Sequence, residues 1–103
     1  MVTRLVLMTA SAFALSSVAL ANPMKLAESK ACLACHGIDN RIVGPAYKDV
    51  AAKYGNSEEA KAKLLKKVKA GGAGVWGDIP MPSQAHVSDD DLDTIVSWIL
   101  TLK

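Results

Sequence analysis

The sequence is short of nearly everything that marks a large or strongly charged binding protein. With 103 residues and a formal charge of +2, it has no room for an enzyme with a separate substrate domain and too little charge for a nucleic-acid binder. It has only two cysteines, so close together that a disulfide between them would close a tiny loop and add little stability. No alternating apolar pattern marks a strand, and there is no internal repeat or low-complexity tract. The long apolar run is confined to the first 21 residues, fifteen of which are hydrophobic. The rest of the chain is too small to be comfortably stable on side-chain packing alone. Something else must serve as its staple.

Met1 to Ala21 reads as an export signal. Arg4 supplies the positive end, Leu5 to Leu15 is the apolar stretch, and Ala19-Leu20-Ala21 offers a small-x-small cleavage site before Asn22. A retained membrane anchor is the competing reading, but Thr9, Ser11, Ser16 and Ser17 dilute the run and its length is marginal for spanning hydrocarbon. The expectation is a signal peptide over 1–21 and one domain over 22–103, exported, in the periplasm of a Gram-negative source and with no stable membrane insertion.

The domain reads as all-α, with about four helices. Asn22-Pro23 combines a capping side chain with proline at the first helical position, and the helix it opens should run through Leu26 and Ala31 towards Cys35. A second helix spans about Ala46 to Lys53 and stops at Gly55. Ser57 caps a third, with Glu58 and Glu59 in its first turn, Lys66, Lys67 and Lys69 in its last, and Gly71-Gly72 at its end. The stretch to Val87 is a loop. Ser88 opens the last helix, where Leu92, Ile95, Val96, Ile99 and Leu100 form an amphipathic stripe.

Both cysteines fall in Cys32-Leu33-Ala34-Cys35-His36. Residues three apart on a helix share a face, so the two sulfurs can each form a thioether with a vinyl group of one haem, and His36 then brings an imidazole to the iron. This is the attachment pattern of a c-type haem. A redox-active dithiol needs a βαβ context that the chain lacks, and a plain disulfide remains the other alternative. A haem also answers the size problem, because its apolar ring can act as core.

The sixth iron ligand decides function. Met24, Met81, His86 and the lysines are the candidates. Met24 lies two turns before Cys32 on the same helix and reaches the far face awkwardly. Met81 lies between Pro80 and Pro82, which stiffen the backbone that presents it, and is the favoured ligand. His86 is the rival, and a bis-histidine site would lower the reduction potential. A histidine and a methionine filling both axial positions describe an electron carrier and not an enzyme.

With these residues in hand the chain resembles the small bacterial class I cytochromes c, the cytochrome c-551 group. The likeness is carried by CLACHGID at 32–39, VGPAYKDVAAKY at 43–54, GVWGDIPMP at 74–82 and VSDDD at 87–91. It implies that the first and last helices cross, with Leu26 and Ala31 against the stripe of the last helix. It also implies that the Pro45 carbonyl accepts the His36 Nδ1–H bond, that Trp76 and Lys67 hold a haem propionate with Tyr54 nearby, and that the Gln84 amide approaches the methionine sulfur. Ala85-His86 makes the loop one residue longer than in relatives. The implied donor is a quinol:cytochrome c reductase, and the implied acceptor a nitrite reductase or terminal oxidase, served by a monomer. Val43, Ala46 and Ile79 are expected to ring the docking patch. The lysines of the third helix and the aspartates of the fourth form ordinary solvated faces, or else a dipole that steers encounter.

Overall fold

The computed structural model describes residues 22–103; the expected export signal lies outside the described residues. Four α-helices account for the regular structure there: α1 (Pro23–Ser29), α2 (Tyr47–Tyr54), α3 (Glu58–Ala70) and α4 (Asp89–Ile99). Among the described residues there is no β-strand, only isolated bridges, and no helix long and apolar enough to cross a membrane.

Three of the four starts are built by side-chain caps. Asn22 Oδ1 accepts from the backbone N–H of Met24 at 3.1 Å and of Lys25 at 3.3 Å. Ser57 Oγ accepts from Ala60 N at 3.1 Å, and Ser88 Oγ from Asp91 N at 3.2 Å. Each satisfies an N–H that the helix itself leaves unpaired. α2 begins at Ala46 without such a cap.

The first helix is shorter than its sequence suggests. It ends at Ser29, Ala31 turns left-handed with φ 62°, and Cys32–Ala34 form one turn of 3-10 helix. A left-handed alanine costs about 1–2 kcal/mol, so local propensity is overridden by tertiary context. The result preserves the sulfur geometry, because residues i and i+3 eclipse on a 3-10 turn.

α4 is the spine: α1, α2 and α3 all pack against it. Leu92, Ile95, Val96, Ile99 and Leu100 are all buried, as their spacing requires. On α1 the residue at the crossing is Ala27, with no exposed surface, while Leu26 is half-buried and Ala31 is exposed. Ala31, expected at the crossing, is instead exposed, at the left-handed turn that follows α1.

Candidate functional site

A largely apolar cavity, part of it open to solvent, occupies the middle of the domain. Its inner wall is the apolar face of α4 together with Leu64 and Val68 of α3. Part of the buried stripe thus faces this space as well as the helices packed against α4. Cys32, Cys35, His36, Pro45, Lys67, Trp76 and Met81 all line this cavity, as does Tyr54, while Gln84 and Ala46 do not.

The His36 ring is held by the segment just after it. Val43 N and Gly44 N both donate to Cys35 O, at 3.0 and 2.8 Å, and Tyr47 N donates to Gly37 O at 2.9 Å. These bonds set the Pro45 carbonyl 2.7 Å from His36 Nδ1. A carbonyl can only accept, so Nδ1 carries the proton and Nε2 keeps the lone pair a metal needs. The expected Pro45 contact is thus present as a hydrogen bond. Gly44 is required by close approach: a Cβ there would collide with His36 Cε1 and lie 2.9 Å from Nδ1. On the ring itself, Tyr47 stacks with centroids 5.0 Å apart and planes 19° apart.

The two sulfurs are not bonded to each other. Burial pushes the Cys32 thiol above the ordinary cysteine range, partly offset by the Tyr47 hydroxyl beside it. Burial likewise holds the Tyr47 hydroxyl well above its usual range, helped by that same sulfur. A raised thiol is the opposite of what a redox dithiol needs, and no βαβ unit surrounds it.

Met81 sits on a pinned loop. Its N–H donates to Gly72 O at 3.0 Å and its carbonyl accepts from Gly72 N at 2.9 Å. Ser83 Oγ donates to Lys69 O at 2.6 Å, and Gln84 N to Val68 O at 3.1 Å. Gly71 makes room for this seam, since a Cβ there would fall 2.5 Å from Met81 O. Two of the rival ligands, Met24 and His86, are exposed and line no part of the cavity, whereas among the lysines Lys67 does line it. The Gln84 side chain gives its Nε2 to Pro82 O at 3.0 Å, so its amide serves the loop backbone instead of the methionine.

The rim carries cations. Arg41, which sequence reasoning passed over, lines the cavity and reaches the Trp76 carbonyl at 3.4 Å, while Lys53 lies 5.4 Å from the Trp76 ring centroid. Val43, Val75 and Ile79 are exposed at the mouth. Ala46, expected among them, is 1% exposed: its carbonyl accepts from Asp49 N and Val50 N at the start of α2, which places it under the helix. Apolar walls, two thiols, a lone-pair imidazole nitrogen, a thioether and rim cations fit a flat apolar ring that bears anionic groups at its edge.

The family model for cytochrome c matches residues 21–103. The chain belongs to the cytochrome c family. It is 51% identical over 82 residues to cytochrome c-551 of Pseudomonas aeruginosa, covering 80% of this chain and 78% of that one. It is 50% identical over 78 residues to cytochrome c-552 of Nitrosomonas europaea, covering 76% of each. The crystal structure of wild-type Nitrosomonas europaea cytochrome c552 superposes with a TM-score of 0.74 at 49% identity, over 78% of this chain and 99% of that one. This small class I cytochrome c is therefore an electron-transfer protein with one covalently bound c-type haem.

Proposed function

We propose that this cytochrome is an exported, periplasmic single-electron shuttle in which Cys32 and Cys35 form the haem thioethers and His36 and Met81 are the axial ligands. The haem supplies an iron that takes up and returns one electron. The observation that carries the reading is the sorting of candidate ligands: Met81 and His36 line one cavity with both cysteines, while Met24 and His86 do not, and Lys67, which also lines it, is read as the propionate's cation. Cys32 and Cys35 fix the group to the chain. His36 presents Nε2 while Pro45 holds the proton on Nδ1. Met81 offers a soft neutral sulfur, which favours the reduced metal and raises the potential. With both axial positions filled, small molecules are kept off the iron, which suits a carrier and not a catalyst. Trp76 and Lys67 hold a propionate at the rim.

The export signal over 1–21 is removed, leaving the domain over 22–103 as a monomer. Electrons come from a quinol:cytochrome c reductase and pass to a nitrite reductase or terminal oxidase, with docking at the mouth around Val43, Val75 and Ile79. Absorption spectra of the purified oxidised and reduced protein, followed by a carbon monoxide challenge, test the ligand set. The expected result is a weak far-red sulfur-to-iron band when oxidised and no rapid carbon monoxide binding when reduced. Met81→His should lower the potential and abolish that band; a retained band would overturn Met81 as the ligand.

A further inference from the structure

We propose that Tyr47 is a positioning residue for the electron carrier, fixing the plane of the His36 imidazole by stacking on it. A hydrogen bond at Nδ1 sets the tautomer and one point of the ring but leaves a swing, because the imidazole torsion is broad and carbonyl acceptors tolerate a wide angular range. Tyr47 removes that swing. Its ring lies over His36 with centroids 5.0 Å apart and planes 19° apart. It is backed in turn by Trp98, edge-on at 5.8 Å and 85°. The Tyr47 backbone is bonded to Gly37, the residue next to His36, so the two rings are tied at their bases as well as in contact. Tyr47 is 4% exposed and lies between the His36 and Trp98 rings. The plane of an axial imidazole sets the direction in which its π orbitals meet the metal d orbitals, so locking it gives the oxidised and reduced forms one common geometry.

This rests on His36 being an iron ligand. The test uses the haem-loaded protein and two substitutions, Tyr47→Phe and Tyr47→Leu, read by ferric electron paramagnetic resonance and by the NMR shifts of the His36 ring protons. A pyridine haemochrome and the far-red band serve as controls for attachment and axial ligation; their loss in the wild type would defeat the ligand reading itself. With those controls intact, Tyr47→Phe keeps the stack and should reproduce the wild-type signals. Tyr47→Leu should shift the His36 ring protons and spread the g values. Unchanged signals in Tyr47→Leu, or signals in Tyr47→Phe as altered as those of Tyr47→Leu, would overturn the proposal. Should Tyr47→Leu not fold, the nuclear Overhauser contact between the Tyr47 and His36 rings in the reduced wild type decides. Its presence, with Tyr47→Phe unchanged, supports the stack, and its absence refutes it.

Discussion

Replacing Gly44 by alanine puts one methyl group where the structure has no space for it. Gly44 has no positive φ, so the backbone accepts alanine, and at an open site the change would stabilise by about 0.4–1 kcal/mol through the unfolded chain. Here the new Cβ would collide with His36 Cε1 and lie 2.9 Å from Nδ1 and 3.0 Å from Nε2. The imidazole cannot step back freely, because Pro45 O holds Nδ1 at 2.7 Å and Tyr47 is stacked on the ring. Overpacking of this kind costs about 1–3 kcal/mol, and weakening the Nδ1 bond adds about 1 kcal/mol. The net expectation is about 2 kcal/mol of destabilisation, or roughly 8–16 °C in Tm for a domain of this size. Thermal and guanidinium unfolding of the haem-loaded protein measure it, with the His36 ring-proton shifts recorded on the same samples. A Gly44→Ala protein as stable as wild type, with unmoved ring protons, would refute the claim that glycine is there for the histidine.

Other expectations come from contacts away from the ring. Ala27→Leu inserts three carbons where α1 has no exposed surface against α4, and should cost about 1–3 kcal/mol in denaturant unfolding. Lys69→Ala removes both the ion pair to Asp89 at 2.6 Å and the bond to the Val87 carbonyl at 2.9 Å. With Lys69 a third exposed, the loss should be about 1 kcal/mol, and part of it should vanish at high salt. Lys61 has its pKa raised chiefly by the hydrogen bond to Asp93, with Glu58 adding to it. A raised folded-state pKa stabilises below the ordinary lysine range, and that stabilisation is lost as pH rises through the folded value. Asp93→Asn should therefore narrow the stability difference between neutral and strongly alkaline solution; an unchanged alkaline unfolding profile would dismiss the pair.

The helices were legible where apolar spacing and caps agreed. Ser57 and Ser88 start α3 and α4 as their sequences require, and the stripe from Leu92 to Leu100 is buried throughout. The end of α1 was not legible, because nothing in Ser29-Lys30-Ala31 breaks a helix. There Ala31 nonetheless turns left-handed, and Cys32 and His36 just beyond it line the cavity. The surface charges misled for a similar reason. Lys61 and Asp93, and Lys69 and Asp89, read as two separate charged faces, yet they pair across the α3–α4 contact. These pairs offset part of any dipole between the two helices, and the rim cations Arg41, Lys53 and Lys67 lie beside the mouth. Arg41 stood outside every segment that carries the family likeness, and Tyr47 lay inside one of them with no role assigned to it. Their roles depend on the neighbours Trp76 and His36, contacts that a linear reading does not supply.

The same α4 residues appear both as core and as cavity wall. Leu92, Ile95, Val96 and Ile99 belong to the buried cluster, and all of them line the space between α3 and the His36 loop. Side chains that face an apolar space forfeit dispersion contacts on that side, and a chain this small has few others to offer in exchange. On the proposed reading, a haem attached at Cys32 and Cys35 would complete the hydrophobic core as well as the redox centre. Folding and cofactor loading are then thermodynamically linked: whatever favours the filled cavity favours the packed α1–α4 crossing. A far-ultraviolet circular dichroism comparison of Cys32→Ala/Cys35→Ala protein with the loaded wild type tests this directly. Helical signal should fall well below that of the wild type when no haem is attached, and an unattached chain with full helicity and a sharp unfolding transition would show that the side chains alone suffice.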